Sequence, residues 1–214
     1  MALMDSLDMK PEEIEAESFR IIDEEAGEHG WPGAEWQVVR RAIHTSADFE
    51  YARSLIFSEG VVERAIAAFR SGCGIVTDTN MALSGISKPR LATWGCTVAC
   101  HVADPDVAEL ARQAGITRSI AAMRKAVADP RNRIFVIGNA PTALFELLRL
   151  IDAGAVSPAL IVGLPVGFVG AEESKNALAA TDGRFPFITN IGRKGGSNVA
   201  AAVVNALAIL AGQD

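Results

Sequence analysis

Residues 134–153 read IFVIGNAPTALFELLRLIDA. A short apolar run comes first, a loop with glycine and proline follows, and apolar residues then recur at three- and four-residue spacings. The run is typical of a buried strand, and the later spacing is typical of an amphipathic helix. A strand that turns through glycine into a helix is the repeating unit of a parallel sheet covered by helices.

The same unit recurs along the chain. Apolar runs predict strands at Cys73–Val76, Thr97–Val102, Ile134–Ile137, Leu160–Val162 and Phe187–Thr189. Helical spacings predict helices at Glu12–Ala26, Ala34–Asp48, Val61–Arg70, Asp106–Gln113, Ser119–Ala128, Thr142–Ala153, Ala171–Ala179 and Asn198–Ala211. We therefore predict an α/β fold, a three-layer α/β/α arrangement with a mostly parallel, Rossmann-like sheet, preceded by an N-terminal helical segment. No linker composition interrupts the chain, so residues 1–214 are predicted to form a single domain with residues 1–10 frayed.

Composition excludes several classes of protein. The 214 residues carry a formal net charge of -6, and no segment supplies the basic stripe that nucleic-acid binding requires. The N-terminus resembles neither a secretory signal nor a transit peptide. The most apolar stretch, Val199–Gly212, is shorter than a bilayer crossing and contains Asn205. We expect a cytoplasmic protein that binds neither nucleic acid nor membrane.

Cysteine usage raises the question of a metal site. Three cysteines without an export signal argue against a disulfide framework. Cys96, Cys100 and His101 invite a metal interpretation, but a strand over Thr93–Val102 would put the two thiols on one face and the imidazole on the other. Core packing is the favoured interpretation, and no metal is predicted.

Three glycine-bearing loops lead from predicted strands into predicted helices: Ile137–Thr142, Gly163–Gly170 with Gly167 inside it, and Ile191–Asn198. Free backbone N–H groups and the helix dipole favour an anion at such loops, although each glycine can also serve only a tight turn. None of the loops matches a dinucleotide or triphosphate fingerprint. Cationic side chains in or near these loops can pair with carboxylates, although each alone is typical of a solvated surface charge: Arg118, Lys175, Arg193 and Lys194.

The segment around His44 is the candidate for chemistry. Helical spacing puts Arg41 one turn before His44 and aligns Arg40, His44 and Asp48 along one ridge. No nucleophile elbow or hydrolytic carboxylate pair is present, so the pattern indicates proton transfer without a covalent nucleophile. A plain surface or capping role for His44 stays open, and His29 and His101 are weaker candidates.

Taken together, these segments resemble the precorrin-8X methylmutase family, which includes the cobalt-precorrin-8 methylmutases. The resemblance covers nearly the whole chain, and its most specific parts are the last two motifs. The motifs are Ser18–Ile22, Arg41–His44, Thr77–Met81 with Gly85 and Ile86, Thr117–Ser119, Ile137–Leu144 and Leu164–Lys175. Met81 is followed by Ala82 where the family pattern leads us to expect valine, which bears on pocket size only.

The resemblance implies an isomerase of cobalamin biosynthesis. Precorrin-8X, or its cobalt form, would become hydrogenobyrinate, or cobyrinate, by an intramolecular methyl shift from carbon 11 to carbon 12, with no cofactor or external methyl donor. It implies that His44 is the proton donor and acceptor and that Ser18 and Arg41 contact substrate. It also implies a homodimer with the site near the subunit interface and a tightly held product, open to handover to the next enzyme.

The residues fit such a ligand, which is an apolar macrocycle fringed with carboxylates. Arg41 and Arg118 can neutralise the fringe, Gly167 lies in a loop that can hold it, and Met81 and Phe168 can line the ring face. Two alternatives remain at this point. One is a non-catalytic tetrapyrrole carrier, and the other is a nucleotide-dependent transferase on a Rossmann-like sheet.

Overall fold

A computed structural model describes residues 10–181 and 183–213. These residues form one six-stranded sheet with the strand order β1-β6-β5-β4-β2-β3. The strands are β1 (Leu55–Phe57), β2 (Gly74–Thr77), β3 (Thr97–Cys100), β4 (Asn132–Ile137), β5 (Leu160–Gly163) and β6 (Phe187–Asn190). Strands β2 to β6 run parallel, and only β1 pairs antiparallel, along β6. The mostly parallel sheet is therefore confirmed.

Eleven helices accompany the sheet within the described residues. They are α1 (Pro11–Ala26), α2 (Gly33–Ser46), α3 (Tyr51–Ser54), α4 (Val61–Arg70), α5 (Asn80–Gly85), α6 (Lys88–Ala92), α7 (Pro105–Ala114), α8 (Arg118–Val127), α9 (Pro141–Asp152), α10 (Ala171–Ala179) and α11 (Ser197–Leu210). Proline occupies the first turn of α1, α7 and α9, where its missing N–H costs nothing. The Thr117 hydroxyl accepts the Ile120 N–H at the start of α8.

In the central strands, alternate side chains are buried in two different cores, one on each face of the sheet. Ile134 and Val136 of β4 join the core formed with α2, α4 and α11, whereas Phe135 and Ile137 join the core formed with α8, α9 and α10. The period-2 alternation explains why the strand reads as continuously apolar, since both of its faces are covered. This arrangement confirms the three-layer prediction.

Helix α11 is buried between the sheet and α2, and most of its residues are inaccessible to solvent. Asn205, which interrupts its apolar sequence, donates to Gly85 O over 2.8 Å and accepts the Ser87 N–H at 2.8 Å. No helix in the described part of the chain has the length and apolarity needed to cross a membrane.

Several short elements differ from the sequence-based expectation. The strand β1 and the helices α3, α5 and α6 were not predicted, because elements of three to six residues show too little periodicity to be recognised. The predicted fraying of residues 1–10 falls outside the described residues except at Lys10. Lys10 is the N-cap of α1, and its N–H donates to Glu13 Oε2 over 2.8 Å.

Candidate active site

The carboxyl ends of the parallel strands meet at one edge of the sheet, and their loops are packed together there. Gly138, after β4, lies against the N-terminus of α11, because a Cβ at this position would be 2.6 Å from the Ser197 Cα. Ser197 Oγ lies 2.7 Å from Thr79 Oγ1, in the loop after β2. Sheets of this class place their ligands at this edge.

The Asp78 carboxylate occupies the donors of the loop after β4. It accepts the N–H groups of Gly138 and Asn139 at 2.9 Å and that of Ala140 at 2.7 Å. Burial raises the pKa of the Asp78 carboxyl above its ordinary value, and the three backbone donors oppose that shift. The expectation that this loop offers free N–H groups to a ligand anion is wrong, since the chain itself supplies the anion.

The loops after β5 and β6 are joined through their backbones. The Gly167 N–H donates to Arg193 O over 3.2 Å, and the Gly196 N–H donates to Leu164 O over 2.9 Å. Gly167 has a φ of 146°, a conformation that favours glycine. Because its N–H is engaged, a ligand near Gly167 would meet the glycine surface or its carbonyl, and substrate binding at Gly167 stays a prediction.

A side-chain cluster joins α1 to α2 and contains two of the predicted site residues, Arg41 and His44, with Ser18 next to Phe19 in the sequence. The Phe19 ring lies 5.2 Å from the His44 ring and 4.6 Å from the Arg41 guanidinium carbon. Arg41 forms a hydrogen-bonded ion pair with Glu15, and Ser18 Oγ donates to Ile14 O over 2.8 Å. The Arg41 guanidinium beside Glu15 lowers the pKa of that carboxyl. His44 itself is exposed, so its ring is open to a ligand.

The predicted ridge of Arg40, His44 and Asp48 is wrong at Asp48. Helix α2 ends at Ser46, and Ala47 adopts a left-handed conformation with φ of 52°. The Asp48 carboxylate turns instead to Lys194, whose Nζ donates to Asp48 Oδ2 over 2.5 Å and lies 2.8 Å from Glu50 Oε2. This pair lowers the pKa of Asp48 and ties the end of α2 to the loop after β6.

Arg118 lies apart from the His44 cluster. It is the first residue of α8, exposed, on the face of the sheet opposite α2. It lines a groove of about 590 Å³ against α7. Thr117 beside it contacts the loop after β4, with 3.2 Å between Thr117 Oγ1 and Thr142 Oγ1. Within one chain, Arg118 and His44 therefore do not face one pocket.

Large apolar side chains are exposed in the loops at this edge and in the first turn of α5. The exposed fractions are 69% for Met81, 84% for Phe168, 89% for Val169 and 54% for Ile191. The Arg193 guanidinium carbon lies 5.6 Å from the Phe168 ring centroid. We call these four apolar residues the edge patch. Grouped exposure of this kind marks a surface that binds a ligand or another protein, and the positions of Met81 and Phe168 suit the predicted ring-lining role.

The cysteine region has a structural explanation. Cys96 immediately precedes β3 and donates its thiol to Phe69 O over 3.2 Å. Burial raises the pKa of the neighbouring Cys73 thiol to about 11. His101 Nδ1 instead lies 3.0 Å from Asp104 Oδ2. Within residues 10–181 and 183–213, no group of three or more His, Cys, Asp or Glu side chains is arranged to hold a metal ion.

A cavity of about 950 Å³ lies at the opposite edge of the sheet, near the starts of β4 and β5. Its lining includes Arg124, Asn132 and Ser157. Volume alone does not make it the active site, because the His44 cluster and the loops of the carboxyl edge lie elsewhere. We place the candidate site at the carboxyl edge.

Comparisons with known proteins agree with this fold and give its family. A family model described as CbiC, precorrin-8X methylmutase, matches residues 13–210. Cobalt-precorrin-8 methylmutase of Priestia megaterium is 47% identical over 96% of this chain and 90% of the relative. The Salmonella typhimurium protein of the same name is 49% identical over 92% of this chain and 94% of the relative. A crystal structure of precorrin-8x methyl mutase from Thermus thermophilus superposes with a TM-score of 0.83 at 44% identity, covering 92% of this chain and 96% of that one.

Proposed function

Because the chain belongs to the precorrin-8X methylmutase family and is an isomerase of cobalamin biosynthesis, we propose that His44 is its proton donor and acceptor. The observation that carries this proposal is the exposed imidazole in the last turn of α2, which shares the Phe19 ring with Arg41. Protonation of a ring nitrogen by His44 would make the conjugated macrocycle electron-poor and lower the barrier to methyl migration from carbon 11 to carbon 12. The same proton returns to His44 afterwards, so the reaction needs no net acid.

Arg41, Ser18, Arg118 and Gly167 are the proposed substrate contacts. The guanidinium of Arg41 has five N–H donors, so a substrate carboxylate can bind while Glu15 keeps its own contact. The apolar edge patch suits the ring face of the macrocycle, and the cationic side chains suit its acidic fringe.

A direct assay tests the reaction. Purified protein is mixed with precorrin-8X or with its cobalt form, and the absorption spectrum is recorded. An isomerase creates the corrin chromophore, and the faster of the two substrates identifies the physiological form. A bound pigment with an unchanged chromophore would identify a carrier, and a thermal shift with S-adenosylmethionine would favour the transferase.

The Arg41→Ala variant should bind substrate more weakly while its maximal rate changes little. Loss of one charge-assisted carboxylate contact corresponds to about a ten- to hundredfold rise in KM, and the difference from wild type should shrink at high salt. Arg131→Ala is the matched control, because Arg131 is an exposed arginine that pairs with Asp129 just before β4, at the opposite edge of the sheet. Equal substrate affinity in Arg41→Ala and wild type would contradict the anchoring role.

We propose further that two copies of the chain form one dimer around the edge patch, so that the macrocycle lies near the subunit interface. The support is the exposure of Phe168 and Val169 together with the separation of Arg118 from His44 in one chain, which a second copy can resolve. The Phe168→Asp variant should sediment as a monomer where wild type sediments as a dimer, because a carboxylate would be buried in an apolar contact. Exposed Ile21→Asp on α1 is the control.

Mixing two inactive variants tests whether residues of both copies form one site. Dimers that combine a His44→Ala chain with an Arg118→Ala chain would contain one intact site, so the mixture should recover about one quarter of the wild-type rate. No recovery after subunit exchange would place both residues in the same chain's site, whereas full activity of Arg118→Ala by itself would remove Arg118 from the site.

Two further parts of the proposal concern the release of the product and the cellular location of the protein. We propose that the product stays bound until the next enzyme takes it, and that the protein works in the cytoplasm. Pigment that elutes separately from the protein in gel filtration would contradict the first, and recovery of the protein in a membrane fraction would contradict the second.

A further inference from the structure

Lys175 on α10 is buried completely, with an exposed fraction of 0%. Its Nζ donates to Asn190 Oδ1 over 3.1 Å and to Lys194 O over 2.5 Å. No carboxylate within the described residues lies at ion-pair distance from this amine. A buried ammonium without a carboxylate partner costs stability, so its presence calls for an explanation in function.

The two acceptors of Lys175 belong to the loop that follows β6. Asn190 is the last residue of β6, and its Nδ2 also donates to Lys194 O over 2.9 Å and to Ile191 O over 3.1 Å. Lysine and asparagine thus converge on one carbonyl and fix the fold of residues 191–196. We call these six residues the β6 loop.

The β6 loop connects the two parts of the candidate site. On one side, the Lys194 ammonium holds Asp48 and Glu50, just beyond the helix that carries His44. On the other side, Arg193 O accepts the Gly167 N–H in the loop that carries Phe168 and Val169. Gly195 is packed so closely against Leu164 O that a Cβ would approach it to 2.2 Å. The distance between proton donor and edge patch therefore depends on this loop.

We propose that Lys175 is a positioning residue: from inside the protein it holds the β6 loop in the form that sets His44 against the surface that binds the macrocycle. It acts through Lys194 and does not touch substrate. The consequence for the reaction rests on the proposed role of His44, whereas the control of the loop does not.

Charge at Lys175 makes the proposal testable by pH. Burial lowers the pKa of the Lys175 amine to about 8, and the charge of Glu172 opposes this shift. The other charged or titratable groups in or around the loop are Arg193, Lys194, Asp48, Glu50 and Tyr51, whose hydroxyl donates to Gly195 O over 3.4 Å. Above pH 8 the amine becomes neutral and its hydrogen bonds to the loop lose their charge-assisted strength.

Activity and stability should then respond to pH in opposite directions. Between the folded pKa and the higher pKa of an unfolded lysine, the unfolded chain binds more protons, so the free energy of unfolding contributed by this group rises with pH. The loop contacts weaken over the same range. A residue with a merely structural role would lose activity and stability together.

The test compares wild type with Lys175→Met, and Lys88→Met serves as the matched control because the exposed Lys88 also donates to a carbonyl, Leu83 O. We expect kcat of Lys175→Met to fall about ten- to hundredfold with KM within about twofold. The rate advantage of wild type should shrink as pH rises through 8. An unchanged kcat, equal changes in kcat and KM, or a rate ratio independent of pH would overturn the proposal.

Hydrogen exchange on wild type keeps the proposal testable if Lys175→Met does not fold. Protection factors of the amides in the β6 loop should fall as pH rises through 8, while those of the buried strand β4 should not fall. Constant protection in the loop would overturn the proposal. This measurement does not involve His44, so it separates failure of the loop's control from failure of the proposed catalytic role.

Discussion

Replacing His44 with alanine is expected to slow isomerisation about 100- to 10,000-fold, the range that a positioned proton donor usually contributes. Substrate and product should still bind, because the arginines, the glycine loops and the edge patch remain. The measurement is a single turnover at saturating substrate, followed by the appearance of the corrin spectrum. His29→Ala is the control, since His29 is an exposed imidazole whose ring stacks on Trp36 at 3.8 Å.

Chemical rescue sharpens this test. Because His44 is exposed and lies against the Phe19 ring, its removal leaves a space that added imidazole can reach. Partial recovery of the rate with imidazole, and none with the His29 variant, would support proton transfer at this position. Turnover of His44→Ala at the wild-type rate would refute the assignment outright.

The second large effect is expected at Asp78, on stability. Asp78→Ala leaves the N–H groups of Gly138, Asn139 and Ala140 without their acceptor, at about 1–3 kcal/mol for each buried unsatisfied group. We expect the free energy of unfolding to fall by at least about 3 kcal/mol, measured by urea denaturation. The control is Asp106→Ala, which removes an exposed ion pair with Lys125 and should cost less than about 1 kcal/mol.

The Asp78→Asn variant separates the hydrogen bonds from the charge. Its amide oxygen can still accept from the loop, and the desolvated charge that raises the Asp78 pKa is gone. We therefore expect a smaller loss of stability than in Asp78→Ala. Because the folded pKa of Asp78 is raised, its charged form opposes folding, so protonation of Asp78 as pH falls should raise the stability of the wild-type chain relative to that of Asp78→Asn. Equal stability of all three chains would show that the loop finds other acceptors.

Periodicity predicted most of the fold but not how the loops meet. The alternation in β4 and the helical spacing after Pro141 are local patterns, and the elements they predict are present with small shifts at their ends. Asp78 stands directly after β2 within a quoted motif, yet its donors come from the loop after β4, a strand that pairs with β2 from far along the chain. No local sequence pattern predicts that β2 pairs with β4.

The burial of Lys175 has a signal in the sequence itself. Ala171, Ser174, Lys175 and Leu178 are all buried, and their spacing is that of one helix face. This helix face points inward and includes Lys175. A lysine near a loop is, by contrast, typical of a surface charge. The left-handed Ala47, which takes Asp48 off the predicted ridge, had no comparable sequence signal, since such a conformation favours glycine or asparagine.

The segment between His44 and β1 is short, so its length sets the position of His44 relative to the sheet. The segment after α2 passes through α3 and enters an edge strand whose register on β6 is fixed residue by residue, with Ser54 O accepting the Ile191 N–H on the way. Adding or deleting one residue here would have one of two effects. It would shift the register of β1 on β6 by one position and turn the β1 side chains to the opposite face, or it would move the His44 imidazole relative to the sheet.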